Sequence, residues 1–251
     1  MGRKQNGIFS AKDLQVLFED NHLIAVNKPA GVLVQGDASA ALSLMDITRE
    51  YIRKKYCKPG NVFLGLVHRL DRPVSGVVLF AKTSKAASRI SEQLRSRTVE
   101  KIYWALVHGT PSPPAGTIRS FLKSEGKKAK PVREGETNAK EAVLMYRTIR
   151  ATEGKSLLEI RLLTGRKHQI RAQLSGVGHP IEGDVKYGAP SRLKNGTMRL
   201  MARSLSFRHP TRNERITIHA PAPEWPAISK PLAARSKKPK TPPSLSRSKG
   251  K

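Results

Sequence analysis

Period-two alternation is the dominant apolar pattern in this chain, and helical spacing is confined to short stretches. In Lys101–His108, Ile102, Trp104 and Leu106 face one way and Tyr103, Ala105 and Val107 the other, which predicts a strand. Val77–Ala81 is a continuous apolar run suited to a buried strand. Leu14–Asp20 and His22–Asn27 read as short strands around a turn at Glu19-Asp20-Asn21, and Lys28-Pro29-Ala30-Gly31 ends the second. Leu44, Ile47, Tyr51 and Ile52 share a face of a predicted helix over Ala41–Lys55. Ala87, Ile90 and Leu94 do the same over Lys85–Arg97, where Thr83 or Ser84 supplies the cap.

Thr110–Gly135 is rich in Pro, Gly and Lys and reads as loop with at most one short strand. Ala139–Thr148 and Ser156–Leu163 form a predicted hairpin. Lys167–Ser175 is a short helix closed by Gly176-Val177-Gly178, and Leu200–Phe207 and Arg215–Ala220 are late strands. Pro221-Ala222-Pro223 ends the ordered region, and no internal repeat is present. Strands outnumber helices and arrive in runs. That predicts an α+β domain with a largely antiparallel sheet.

Charge narrows the class of partner. Lys and Arg total 47 against 19 Asp and Glu, a formal net charge of +28 over 251 residues. The stretch from Lys230 onward holds eight of these cations and no acid, yet the remainder is strongly basic too. Such a surface repels itself until it meets a polyanion, and nucleic acid is the usual one. Cys57 is the only cysteine, so neither an intramolecular disulfide nor a thiolate metal cluster can form. The start lacks the apolar run of a secretory signal, and no segment approaches the ~20 apolar residues of a membrane span. A soluble, cytoplasmic, monomeric protein without membrane contact is expected.

Two strings carry candidate chemistry. In His68-Arg69-Leu70-Asp71-Arg72-Pro73-Val74-Ser75-Gly76, Asp71 sits between cations in a Pro- and Gly-shaped loop before the buried strand. A carboxylate held there can be a nucleophile, a base or a metal ligand, or it can merely cap a turn. In Leu163-Thr164-Gly165-Arg166-Lys167-His168-Gln169-Ile170-Arg171, a tight strand-to-helix turn aims Arg166 outward beside Lys167 at a helix start, which suits a phosphate or a carboxylate. Tyr103 alone reads as a half-buried strand residue with a wet hydroxyl.

From about Leu14 to about Ala220 these strings resemble the pseudouridine synthases of the large family that modifies ribosomal and transfer RNA, typified by the bacterial ribosomal large-subunit enzymes. The matching pieces are Val26-Asn27-Lys28-Pro29-Ala30-Gly31, His68-Arg69-Leu70-Asp71 with Ser75-Gly76, and Lys101-Ile102-Tyr103-Trp104-Ala105. They continue with Thr164–Arg171, Gly178-His179-Pro180-Ile181, Gly183-Asp184, Tyr187-Gly188 and Leu205-Ser206-Phe207-Arg208-His209-Pro210. The resemblance implies a central mixed, mostly antiparallel sheet flanked by helices and loops, with an active-site cleft across it. The catalytic domain would span 12–225, between a polar tail at 1–11 and a basic tail at 226–251 that its Pro, Ser and Lys content predicts to be disordered when free.

The resemblance also implies roles. Asp71 would be the nucleophile, Tyr103 would pack on the target base and help proton transfer, and Arg166 would pair with Asp71. Arg69 would hold the extruded nucleotide or fill its gap, and His68, Arg72, Lys167, His168 and Arg171 join it as expected RNA-binding residues. The partner would be structured ribosomal or transfer RNA. Isomerisation is redox-neutral and needs no Lewis acid, so no cofactor and no metal is expected. The seven histidines show no ligand spacing. Val74 and Lys167 stand where relatives often carry threonine, Gln173 where many carry histidine, and Met201-Ala202 where Leu-His is common. These departures bear on which RNA is bound more than on the chemistry.

Charge alone also fits a non-catalytic RNA-binding or ribosome-assembly protein on the same fold, but binding needs no buried nucleophile. A metal-dependent nuclease wants several converging carboxylates, and the sequence has no acidic cluster near Asp71.

Overall fold

The computed structural model describes residues 9–36, 42–152, 154–194 and 196–225. The basic tail at 226–251, most of the N-terminal tail and the first residue of the predicted Ala41–Lys55 helix lie outside the described residues.

Strands β1 (Val16–Glu19), β2 (Leu23–Lys28), β3 (Gly65–Leu66) and β4 (Ser75–Ala81) surround helix α1 (Leu44–Lys55) in the chain. Helix α2 (Ser84–Arg95) follows, then β5 (Glu100–His108), β6 (Ala115–Glu125), β7 (Lys128–Val132), β8 (Lys140–Thr152) and β9 (Lys155–Leu162). Helix α3 (Gln169–Gly176), a 3-10 turn (Val185–Tyr187), β10 (Leu200–Arg208) and β11 (Arg215–His219) complete the order. The strands form one sheet in the order β1-β2-β4-β10-β5-β9-β8-β6-β7, with β11 on β10 and β3 on β4. Among the described residues β10–β4 is the single parallel pairing, so the expected mixed, mostly antiparallel α+β sheet is what forms.

Alternation sorts side chains to two cores. Ile24, Val26, Val78, Phe80, Ala105 and Val107 pack on one face with Leu44, Ile47 and Ile52 of α1 and Ile170 and Leu174 of α3. Leu23, Ala25, Val77, Leu79 and Leu106 pack on the other with Ala86 and Ile90 of α2. A sheet covered on both faces explains why β4 reads as an unbroken apolar run. Phe80 is fully buried, which contributes about 2–3 kcal/mol. Ser43 and Asp46 form a capping box at the start of α1, and Thr83 Oγ1 accepts the Ala86 N–H at 3.2 Å to start α2.

The expected loop at Thr110–Gly135 is instead the long hairpin β6–β7. It buries little beyond Leu122 and Ala129, so its hydrophobic pattern is faint. Eight paired residues along β8 hold it through the backbone. Gln173 of α3 adds side-chain bonds from its Nε2 to Ile118 O, Ser120 Oγ and Ala142 O. That amide, one of the departures from the family pattern, therefore ties α3 to β6 and β8.

Candidate active site

A cleft of about 1000 Å³ opens between the loop preceding β4, the start of β5 and the turn from β9 into α3. Asp71 lies in it, one-third exposed. Among the described residues, seven Arg and Lys side chains line the cleft against this one carboxylate. Such a wall raises the local concentration of polyanion and steers it inward.

The loop that carries Asp71 is fixed at both ends. Just after Asp71, Val74 N–H bonds to Asp71 O at 3.0 Å, and Gly31 N–H to Arg72 O at 2.8 Å. Lys28 is fully buried, and its ammonium donates to Pro29 O, Val32 O and Arg72 O at 3.0, 2.7 and 3.0 Å. Burial pushes this ammonium down to about 7, against the opposing pull of the Asp71 charge. Arg72 Nε returns a bond to Gly31 O at 2.9 Å. Downstream, Gly76 lets β10 approach: a Cβ there would sit 2.1 Å from Ala202 O, and its φ of +111° suits glycine alone.

His68 points into the sheet. Its Nε2 accepts the Leu79 N–H at 3.0 Å, replacing a strand partner. Burial lowers its pKa to about 4, helped by the Lys101 charge, so the ring is neutral. Tyr103 of β5 lines the same cleft. Burial raises its phenol pKa and the Asp71 charge raises it further, so the hydroxyl keeps its proton.

Arg171, not Arg166, is the arginine on Asp71. Its Nη1 donates to Asp71 Oδ2 at 2.9 Å. Its Nε and Nη2 form a fork to Asp184 at 2.7 and 2.8 Å. Arg171 is 5% exposed and Asp184 is 2% exposed, and the guanidinium lies over the Tyr187 ring at 4.8 Å. Arg171 is thus sequestered rather than offered to RNA. The reason lies in where the helix starts. Residues 166–168 are still in the turn, and the Gln169 side chain pins it by accepting Arg166 N–H at 3.0 Å and Thr164 Oγ1–H at 2.8 Å. Arg166 Nε bonds to Glu141 O at 2.8 Å, which leaves its side chain along the cleft wall. Arg171 is on the first turn of α3 and points inward.

His168 adopts a left-handed conformation at φ 51° and places Nε2 3.5 Å from Asp71 Oδ2. Its Nδ1 lies 2.8 Å from the Tyr187 hydroxyl, which also accepts the Ala129 N–H from β7. Burial lowers the His168 pKa, and the Asp71 charge opposes that. Arg69, Arg72 and Lys167 line the cleft. Among the described residues no group of three or more His, Cys, Asp and Glu side chains converges as a metal would require. Lys28 and Asp184 went unnoticed as individual positions in the sequence, although each lies in a quoted motif. Lys and Asp are seldom fully buried, so pattern alone does not mark them.

The family model described as RNA pseudouridylate synthase matches residues 22–176. The chain is 38% identical to tRNA pseudouridine synthase C of Haemophilus ducreyi, over 83% of this chain and 90% of that protein. It is 32% identical to ribosomal large subunit pseudouridine synthase D of Zymomonas mobilis, over 84% of this chain and 70% of the relative. It spans about two thirds of the length of several further relatives, among them ribosomal large subunit pseudouridine synthase C of Pasteurella multocida, at 34% identity and 65% of that protein. The solved structure of human RNA pseudouridylate synthase domain containing 4 superposes with a TM-score of 0.72 at 30% identity, covering 85% of this chain and 91% of that one.

Proposed function

The chain belongs to the RNA pseudouridylate synthase family, and from that premise we propose that it converts uridine to pseudouridine in structured RNA with the Asp71 carboxylate as nucleophile. The observation that carries this reading is the isolation of Asp71. Among the described residues it is the one acid in a cleft of cations, held by a buried guanidinium that a second carboxylate orients.

Asp71 attacks the target nucleotide, and the glycosidic bond from ribose carbon 1′ to N1 breaks. The detached uracil turns, and carbon 1′ bonds to carbon 5 as its bond to the Asp71 carboxylate oxygen breaks. The proton leaves carbon 5 and N1 ends protonated, so atoms and electrons balance without an oxidant. Arg171 fixes the direction of the carboxylate and balances its charge, and Arg166 serves the cleft wall. Tyr103, protonated, packs on the extruded base and donates a hydrogen bond there, while the carbon 5 proton passes to water. Extrusion costs a few kcal/mol, which phosphate contacts to Arg69, Arg72, Arg166 and Lys167 offset. Relatives named for ribosomal large-subunit RNA and for transfer RNA make those two RNA classes the substrates of choice.

The test uses RNA labelled with tritium at uridine carbon 5, prepared from cells lacking the protein. The purified chain should release tritium into water from either the ribosomal or the transfer fraction. Release from neither fraction would overturn the proposal.

A further inference from the structure

Arg72, Arg166 and Lys167 of the cleft are each tied to a backbone carbonyl, and Arg69 is exposed at its edge; Lys101 and Arg97 are a different case. Lys101, half-buried at the start of β5, lays its Nζ against the turn at Gly165, 3.5 Å from where a Cβ would stand. Arg97 reaches the same cleft from the end of α2. Among the described residues, the Lys101 ammonium and the Arg97 guanidinium have no hydrogen-bond or ion-pair partner. Burial lowers the Lys101 pKa, and the nearby Arg97 charge lowers it further. Two like charges held together, one partly desolvated, are unfavourable unless an anion joins them.

The backbone at Arg97 points the same way. Thr98 N–H bonds to Gln93 O at 3.0 Å and Arg97 N–H to Leu94 O at 3.4 Å, the double closure of a helix end. The residue inside that closure adopts φ 59°, a place where glycine is favoured and any Cβ is strained. An arginine there gives up stability in the free protein, and strain of this kind collects at ligand sites.

We propose that Arg97 and Lys101 form a subsite for a phosphodiester group of bound RNA, on the strand that carries the target uridine. The proposal rests on the reading of the cleft as an RNA site. Lys101 gives a point charge at the floor and Arg97 a fork at the rim, so one phosphate between them satisfies both. No base contact is involved, so the subsite grips any sequence.

The experiment uses the full chain with Lys101→Met and, separately, Arg97→Gly. Binding of a fluorescein-labelled RNA stem-loop is titrated between about 50 and 200 mM salt. Each variant should bind about tenfold more weakly, and the slope of log affinity against log salt should shrink by about one. Each should also melt at the same temperature as the unaltered protein or higher, because an unpaired cation or a strained Cβ has been removed. Wild-type affinity and slope in both variants would overturn the subsite. Weaker binding accompanied by a lower melting temperature would overturn it as well, since that is the mark of a structural role. If the unaltered chain releases tritium from labelled RNA while both variants bind normally, the subsite alone falls. If the unaltered chain releases none, the reading of the whole cleft falls first.

Discussion

Three donors of the Arg171 guanidinium are divided between two carboxylates, one at the cleft and one buried behind it. Lysine at this position keeps the charge but cannot form the fork to Asp184 and still reach Asp71. Arg171→Lys should therefore lower the single-turnover rate by roughly a hundredfold or more, corresponding to about 3 kcal/mol, while RNA affinity changes little. Arg166→Ala should do the reverse, raising KM and leaving the saturating rate nearly intact. Equal losses of rate from the two changes would contradict the assignment. The sequence offers both arginines five residues apart in one string, and the string does not say which one the helix turns inward. The helix boundary at Gln169 decides it, and boundaries are set by side-chain locks such as the one Gln169 makes, which propensity does not encode.

His68 gives a residue-scale prediction about acid. Its folded pKa of about 4 lies below the usual 6.5, because burial and the Lys101 charge disfavour the imidazolium. Below pH ~6.5 the unfolded chain takes up a proton that the fold refuses, so stability falls as pH falls from about 6.5 to about 4. The loss approaches roughly 3 kcal/mol at the lower end. Urea denaturation across that window should show this decline, and His68→Gln, which can still accept the Leu79 N–H, should flatten it. An unchanged decline in the variant would assign it to other groups.

At the scale of elements, the Asp71 loop is aimed by β4, and β4 is placed by its parallel contact with β10 at Gly76 and Ala202. Gly76→Ala puts a Cβ within 2.1 Å of a carbonyl oxygen on a backbone that glycine alone tolerates. A loss of more than about 3 kcal/mol is expected, read as a shift in the denaturation midpoint, and a neutral result would mean the strands separate freely there. The elements buried on both sides were legible in sequence: β2, β4 and β5 show continuous apolar runs or strict alternation, and α1 and α2 carry caps and apolar faces. The β6–β7 hairpin was not, because backbone pairing with β8 and the Gln173 amide hold it rather than a hydrophobic face. Its absence from the sequence reading also hid part of the site, since Ala129 of β7 braces the Tyr187 hydroxyl beside His168.

For the whole molecule, charge and chemistry have separate sources. The positive excess was plain in composition, and the cleft gathers part of it around one acid. Asp71 stood out by its loop before a core strand, whereas Tyr103 was marked only by the family resemblance; both line the cleft. Lys28 and Asp184, the buried charges that hold the loop and its arginine, were not legible. This division yields the most direct test. Asp71→Asn keeps the shape and removes the only carboxylate that the described residues place in the cleft. Single-turnover tritium release at saturating protein should then fall by at least about a thousandfold, while RNA binding holds or tightens. Release by the asparagine variant at the rate of the unaltered protein would contradict the account.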